Sequence, residues 1–306
     1  MSWSLEDVPD LTGRRALVTG VTGGLGENTA RELARHGADL VVTARNAAKA
    51  GPVLDRLRAV AGGRVELLDL DLADLSSVRT AAESVLGTYD RVDIVVNNAG
   101  VMATPKRRTA DGFELQIGTN HVGHFALTGR LWPLLRDSAA RVVFVSSVAH
   151  RTVRGVDLRS LVPGDDPRAY RRWRSYGESK LANLMTALEL ADAARDTGVV
   201  AVAAHPGYAA TDLQTAGPEL GGPTLQSRAM RLINTTVAQS AAAGAEPLLL
   251  AATLPGLAPG SYVGPGGLGE LRGRPTLVVT SGAARDPAAR RALWEATAGA
   301  TGVSFP

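Results

Sequence analysis

The stretch RALVTGVTGGLG, Arg15 to Gly26, decides how the rest of the chain is read. Arg15 to Thr19 is a short apolar run that stops at glycines, which predicts a buried strand. The glycines that follow let the backbone turn sharply and come close to a ligand. From Gly24 to His36 the pattern becomes helical, with Leu25, Thr29, Leu33 and His36 on one stripe and Gly37 as the stop. In a strand–glycine turn–helix unit, unpaired N–H groups and the helix dipole face the turn and suit a pyrophosphate. A tight turn with no ligand has the same local pattern.

Further strands are expected at Asp39–Thr43, Arg64–Leu68, Val92–Val96, Arg141–Val145 and Val199–Ala203. Tyr262–Val263 reads as a last strand and Pro275–Ser281 as an ambiguous edge strand. A long helix is expected over Asp111–Leu135, interrupted near its end at Trp132-Pro133. Others run from Tyr176 to about Thr197, over Thr236–Ala252 and over Pro287–Ala298. Strands alternating with helices argue for an α/β protein. The expectation is one domain, 1–306, built on a doubly wound parallel sheet of the Rossmann type in three layers, α/β/α. Within it, 1–10 reads as a flexible or surface-docked tail, 151–174 as an arginine-rich insertion and 212–235 as a lid.

Composition narrows the chemistry. Of 306 residues, 45% are hydrophobic and only 4% aromatic, so the core must be aliphatic. There is no cysteine, which excludes disulfides, thiolate catalysis and cysteine-held metals. A net charge of +3 without a dense basic run gives no reason to expect nucleic acid. The acidic N-terminus lacks the apolar segment of a signal peptide. The longest uncharged stretch, Pro247–Gly269, is broken by prolines and glycines and reads as no membrane span. A soluble, cytoplasmic protein is expected.

Several positions carry chemistry. After the second strand come Ala44 and Arg45. An acidic residue there would take both ribose hydroxyls of NAD, whereas an arginine pairs with the 2′-phosphate of NADP. Asp71 could accept from an adenine amino group or cap the helix beginning near Leu75. Asn97-Asn98-Ala99-Gly100 ends a buried strand and suits either a ligand edge or a structural turn. His121 and His124 lie three apart without a third ligand at metal spacing and read as packing residues. Asn120 beside them is an amide inside a helix. Ser146-Ser147 ends the fifth strand, where such sheets bind ligands. Tyr176 and Lys180, four apart on one helix, share a face. A phenol ionises near about pH 10, and a neighbouring ammonium is expected to lower that value and make the phenol a usable acid or base.

These motifs, taken in order, resemble the short-chain dehydrogenase/reductase family from Leu11 to about Val263. Thr19, Gly20, Gly24 and Gly26 have its T-G-x-x-x-G-x-G form, and Asn97–Gly100 its N-N-A-G segment. Ser147, Tyr176 and Lys180 match its catalytic Ser, Tyr and Lys, and Asn120 its fourth member. Pro206, Gly207 and Thr211 match the segment that holds the nicotinamide carboxamide. The runs TNHVGHFALT, VSSVAH, YGESKLAN and HPGYAATDLQ are most similar to the retinol-dehydrogenase and WW-domain-oxidoreductase branch. Val21-Thr22-Gly23 departs from the Ala-Asn-Ser of that branch.

The resemblance implies NADP(H), with NAD(H) the lesser alternative, held by Thr19, Gly20, Thr22, Gly24, Leu25, Gly26, Arg45, Asp71, Leu72, Asn98, Ala99, Gly100, Tyr176, Lys180, Pro206, Gly207 and Thr211. It implies hydride transfer to or from a small, apolar carbonyl or alcohol, with no metal, and Asn120 positioning a relay water. Homo-oligomerisation is left open. The competing expectation is a catalytically silent, dinucleotide-sensing protein on the same fold.

Overall fold

The computed structural model describes residues 3–164, 169–209 and 239–306. Eight strands form one sheet, β1 (Arg15–Thr19), β2 (Asp39–Ala44), β3 (Val65–Asp69), β4 (Ile94–Asn97), β5 (Arg141–Val145), β6 (Val200–Ala204), β7 (Tyr262–Pro265) and β8 (Pro275–Leu277). Their order is β3-β2-β1-β4-β5-β6-β7-β8. The first seven are parallel, with Leu17 opposite Val41 on one side and Val95 on the other. Only β8 runs antiparallel, along β7. The order reverses between β1 and β4, the point where such sheets open a crevice at their carboxyl ends.

Strand side chains alternate between two apolar layers. Leu17, Val95, Val142 and Phe144 point into one, and Val18, Val96, Val143 and Val145 into the other. Helices α1 (Gly24–Arg35) and α2 (Ala47–Arg58) cover the second layer. Helix α3 (Leu75–Thr88) covers the first. Helix α2 was not expected. Its stripe Ala50, Val53, Leu54 and Leu57 has helical spacing and is buried, but Gly51 and Pro52 interrupt the pattern. Asn46 caps it by accepting from Lys49 N at 3.0 Å. Asp74, rather than Asp71, caps α3 by accepting from the N–H groups of Ser76 and Ser77.

The long helix expected over Asp111–Leu135 is broken into pieces. One α turn, α4 (Leu115–Ile117), widens to a π-helix over Gly118–Val122 and resumes as α5 (Gly123–Arg130) and α6 (Trp132–Asp137). Glycines flank the widened turn for a steric reason. A Cβ on Gly118 would stand 2.3 Å from Thr109 Cγ2, and one on Gly123 would stand 2.4 Å from Leu72 O. The remaining helices are α7 (Arg172–Ala193), α8 (Ala241–Thr253), α9 (Gly282–Arg285) and α10 (Pro287–Thr301). The lid 212–235 and Thr211 lie outside the described residues, as do 236–238 at the expected start of α8.

Both ends of the chain dock on the core. Trp3, Val8 and Leu11 are buried in the layer under α1, so of the two expectations for 1–10 its described residues, 3–10, follow the docked one. At the other end Phe305 meets Phe125 and Trp294 with ring centroids 4.9 and 4.6 Å apart. Gly129 makes room for it, since a Cβ there would be 2.5 Å from the Phe305 ring. Among the described residues no helix is long and apolar enough to cross a membrane. Phe305→Ala should lower stability by about 3 kcal/mol through the cavity it leaves. A urea midpoint equal to that of the parent would show that the C-terminal segment does not hold α5.

Candidate active site

The crevice between β1 and β4 is built on one hydroxyl. Thr19 Oγ1 accepts from the N–H groups of Asn98 and Ala99, each at 2.9 Å. The Asn98 amide in turn donates to the carbonyls of Thr19 and Gly20 at 2.8 and 3.1 Å. The Asn-Asn pair is thus divided in role. Asn98 holds the glycine turn, and Asn97 turns inward to Thr128 Oγ1 at 3.0 Å. The turn is close-fitting. A Cβ on Gly20 would be 2.7 Å from that of Ala99, and one on Gly26 would be 2.1 Å from Gly20 O. Gly23 precedes α1 and supplies no side-chain cap, so the first N–H groups of the helix face the turn uncapped. Thr22 is exposed there and Leu25 half-buried.

From this turn a chain of hydrogen bonds runs to α7. Thr19 Oγ1 lies 2.9 Å from His124 Nε2, and His124 Nδ1 lies 2.9 Å from the Asn120 carbonyl. Since the carbonyl only accepts, Nδ1 carries the proton and Thr19 donates to Nε2. Burial pulls the His124 pKa down to about 3 and that of His121 to about 4, so both rings are neutral. His121 Nε2 bonds Thr297 Oγ1 at 2.9 Å. The described residues contain no group of three His, Asp or Glu able to hold a metal. Asn120, in the π turn, accepts from Val101 N at 2.7 Å. Its amide donates to Val101 O and to Ser179 Oγ, both at 2.9 Å. With both amide hydrogens taken, the Asn120 side chain could meet a relay water only as an acceptor.

Helix α7 carries the phenol and the amine. Tyr176 and Lys180 are both buried. Gly177 lets the helix lie against the turn after Ser147, since a Cβ there would be 2.9 Å from Ala149 O. Tyr176 stands near the Ser147 side chain, which acts to lower its pKa, and packs with Met102, Ala103 and Ala149. The Trp173 ring stands edge-on to it at 6.4 Å. Lys180 Nζ donates to Val145 O at 3.0 Å and is 6.0 Å from the centre of the Tyr176 ring. The expected lowering of the phenol pKa is not found. Burial pushes Tyr176 up to about 12, only partly offset by Ser147, and pulls Lys180 down to about 8. Desolvation outweighs an ammonium at that distance.

The other predicted positions fall as follows. Gly100 passes beside the pair, with a Cβ there 3.0 Å from Asn120 Oδ1 and 3.5 Å from Lys180 Nζ. Arg45 is exposed directly after β2. Asp71 folds one carboxylate oxygen onto Ala73 N at 2.9 Å, and Leu72 is buried under Gly123. Pro206 and Gly207 follow β6, where Gln239 donates to Pro206 O at 2.6 Å. The insertion is docked at its described residues, 165–168 lying outside them. Gln116 bonds Tyr170 Oη and Arg172 O at 2.8 and 2.9 Å. Arg151 pairs with Glu270 at 2.6 Å and Arg174 with Glu178 at 2.8 Å. Glu270, in a glycine-rich hairpin, has no sequence signal beyond being a lone acid there. The role of His124 was hidden because a buried histidine reads as packing.

The model of the short chain dehydrogenase family matches residues 14–156. Retinol dehydrogenase 12 of Mus musculus is 41% identical over 208 residues, 66% of this chain and 64% of that one. The chain thus spans less than two thirds of that relative's length. Retinol dehydrogenase 13 of Homo sapiens is 35% identical over 301 residues, covering 97% of this chain and 87% of that one. Among solved structures, an uncharacterized protein from Mycobacterium Paratuberculosis is 38% identical over the whole of both chains, with a TM-score of 0.79. An RhlG/NADP active-site complex from Pseudomonas aeruginosa is 25% identical, covers 83% of this chain and 94% of that one, and has a TM-score of 0.64.

Thr19→Val keeps the shape of the side chain but removes an acceptor for two N–H groups and the donor to His124. It should destabilise the protein by about 2 kcal/mol. Unchanged urea unfolding would mean that this hydroxyl does not organise the crevice.

Proposed function

The chain belongs to the short-chain dehydrogenase/reductase family, in its retinol-dehydrogenase-like branch, and on that premise we propose that it is an NADP(H)-dependent oxidoreductase of a small, apolar carbonyl or alcohol. The observation that carries the reading is the meeting of Ser147, Tyr176, Lys180 and Asn120 at the crevice that also holds the glycine turn. The turn fits a pyrophosphate, because glycines clear the space and the α1 N–H groups are uncapped. Thr19 and Asn98 shape that turn from behind, and Thr22, Gly24, Leu25 and Gly26 line it. Arg45 favours NADP because it offers a cation where an acid would select NAD. The NADP complex of the Pseudomonas aeruginosa neighbour agrees with this. Asp71 and Leu72 suit the adenine edge, and Ala99, Gly100, Pro206, Gly207 and Thr211 the nicotinamide half. Met102, Ala103 and Ala149 around the phenol support an apolar substrate, as do relatives named for retinol.

A bound nicotinamide supplies or accepts the hydride. In the reducing direction the Ser147 hydroxyl and the Tyr176 phenol donate hydrogen bonds to the carbonyl oxygen. Tyr176 holds its proton at neutral pH, its pKa being near 12, so it begins as the acid the reaction needs. As negative charge grows on the oxygen, the phenol proton moves to it. The phenolate left behind is stabilised by Lys180, which stays mostly charged below its pKa of about 8. Asn120 fixes Val101 and Ser179 beside the amine. In the oxidising direction the same groups act in reverse, and Tyr176 must first lose its proton.

Tyr176→Phe should leave NADPH binding intact and reduce turnover a hundredfold or more, on the order of general-acid contributions. NADPH consumption across a panel of aldehydes, ketones and quinones provides the assay, and turnover that survives the change would exclude the phenol as the acid. Arg45→Asp should shift preference from NADPH toward NADH by at least about tenfold. Unaltered selectivity would remove Arg45 from the cofactor site.

A further inference from the structure

One carboxylate joins two strand ends at the crevice. Glu270 Oε1 accepts from Arg151 Nη2 at 2.6 Å, and Oε2 lies 3.1 Å from His205 Nε2. Arg151 belongs to the turn Val148–Thr152 that directly follows Ser147. His205 directly follows β6 and precedes Pro206-Gly207. The Gly207 N–H donates to His205 Nδ1 at 3.2 Å, so Nδ1 is bare and Nε2 carries the proton given to Glu270. The ring fills space left by Gly264, where a Cβ would be 2.0 Å from Nε2, and it packs on Tyr262 at 5.1 Å.

The hairpin that carries Glu270 also touches the Gly207 segment directly. Tyr208 N donates to Leu271 O at 2.7 Å, and a Cβ on Gly207, whose φ is +67°, would be 2.5 Å from the same oxygen. Glu270 itself has φ +58°, a left-handed backbone uncommon for any residue but glycine. Such a conformation persists where the surroundings over-determine it, and it clusters at functional sites. Burial keeps His205 neutral, while its hydrogen bond and the neighbouring guanidinium hold the Glu270 carboxyl ionised.

We propose that Glu270 is a positioning residue for hydride transfer. Through His205 it sets the Pro206-Gly207 backbone that meets the nicotinamide, and through Arg151 it ties that backbone to the Ser147 turn that meets the carbonyl. The inference rests on the dinucleotide reading of the crevice given above. It assigns the glycine-rich hairpin between β7 and β8 a task in aligning the two reactants. It predicts an effect confined to the nicotinamide half of the cofactor, because Glu270 touches nothing at the glycine turn.

The test uses the full chain and calorimetry. NADPH is compared with 2′-phospho-ADP-ribose, and NADH with ADP-ribose, each pair differing only in the nicotinamide. Glu270→Ala should weaken the favoured dinucleotide about tenfold, the worth of a good hydrogen bond, and leave its nicotinamide-free partner within about twofold. Glu270→Gln keeps the length but only one acceptor oxygen and turns an NH2 group toward the other donor, so its binding should fall between that of the parent and that of Glu270→Ala. If Glu270→Ala fails to fold, Glu270→Asp, one methylene too short to reach both partners, should give the same selective loss. Equal weakening within a pair, or no weakening, overturns the proposal while leaving the dinucleotide site standing. A parent protein that binds none of the four ligands overturns both.

Discussion

Helix α7 is buried without a break from Tyr176 to Ala191, and that single fact governs the site. Over that stretch the polar side chains depend on partners within the protein, and of them Asn183 Oδ1 and Thr186 Oγ1 lack one among the described residues. Lys180 Nζ and Asn183 Nδ2 both donate to Val145 O, at 3.0 and 3.1 Å, which fixes the helix against the end of β5. Ser146 Oγ donates to Lys180 O at 2.8 Å from the same strand end. Ser179 accepts from Asn120 and donates to Tyr176 O at 2.8 Å, which fixes it against the π turn. Once those bonds are made, Tyr176 has little choice of position. The same burial decides its protonation, raising the phenol and lowering the amine.

The second constraint runs from the glycine turn to that helix through neutral groups alone. Asn98 and Ala99 donate to Thr19, Thr19 to His124, His124 to Asn120, and Asn120 to Ser179. The Asn120 carbonyl can only accept, so it fixes the histidine tautomer with the proton on Nδ1. Such a network is costly if any member is lost, because a buried polar group is left unpaired. It offers a physical route by which the glycine turn and helix α7 keep a fixed separation.

Much of this was legible in the sequence, and what was not has definite causes. The strand RALVT ending in glycines, and the stripe Leu25, Thr29, Leu33, His36, predicted β1 and α1 nearly residue for residue, because local pattern and tertiary burial agree there. Helix α2 was hidden by Gly51 and Pro52, although its cap Asn46 and its stripe were present. The π turn could not be read, since Gly118 and Gly123 answer to contacts with Thr109 and Leu72 that are distant in sequence. The cap of α3 is Asp74, directly before Leu75, while Asp71 turns onto Ala73 N, a difference of local geometry. The sign of the Tyr176 shift was misjudged because desolvation depends on packing, which residue spacing does not report. Glu270 gave no signal, since its partners Arg151 and His205 come from other elements.

These constraints place a protonated phenol, a buried amine and an uncapped glycine turn around one crevice. The central claim is that this crevice receives a nicotinamide dinucleotide with its reactive ring beside Tyr176. A crystal structure of the chain with NADP⁺ tests it most directly. The account predicts the pyrophosphate on the α1 N-terminus, the ribose within hydrogen-bond reach of Lys180 and the ring between Tyr176 and Pro206-Gly207. A dinucleotide bound elsewhere, or one whose nicotinamide points away from Tyr176, would contradict it.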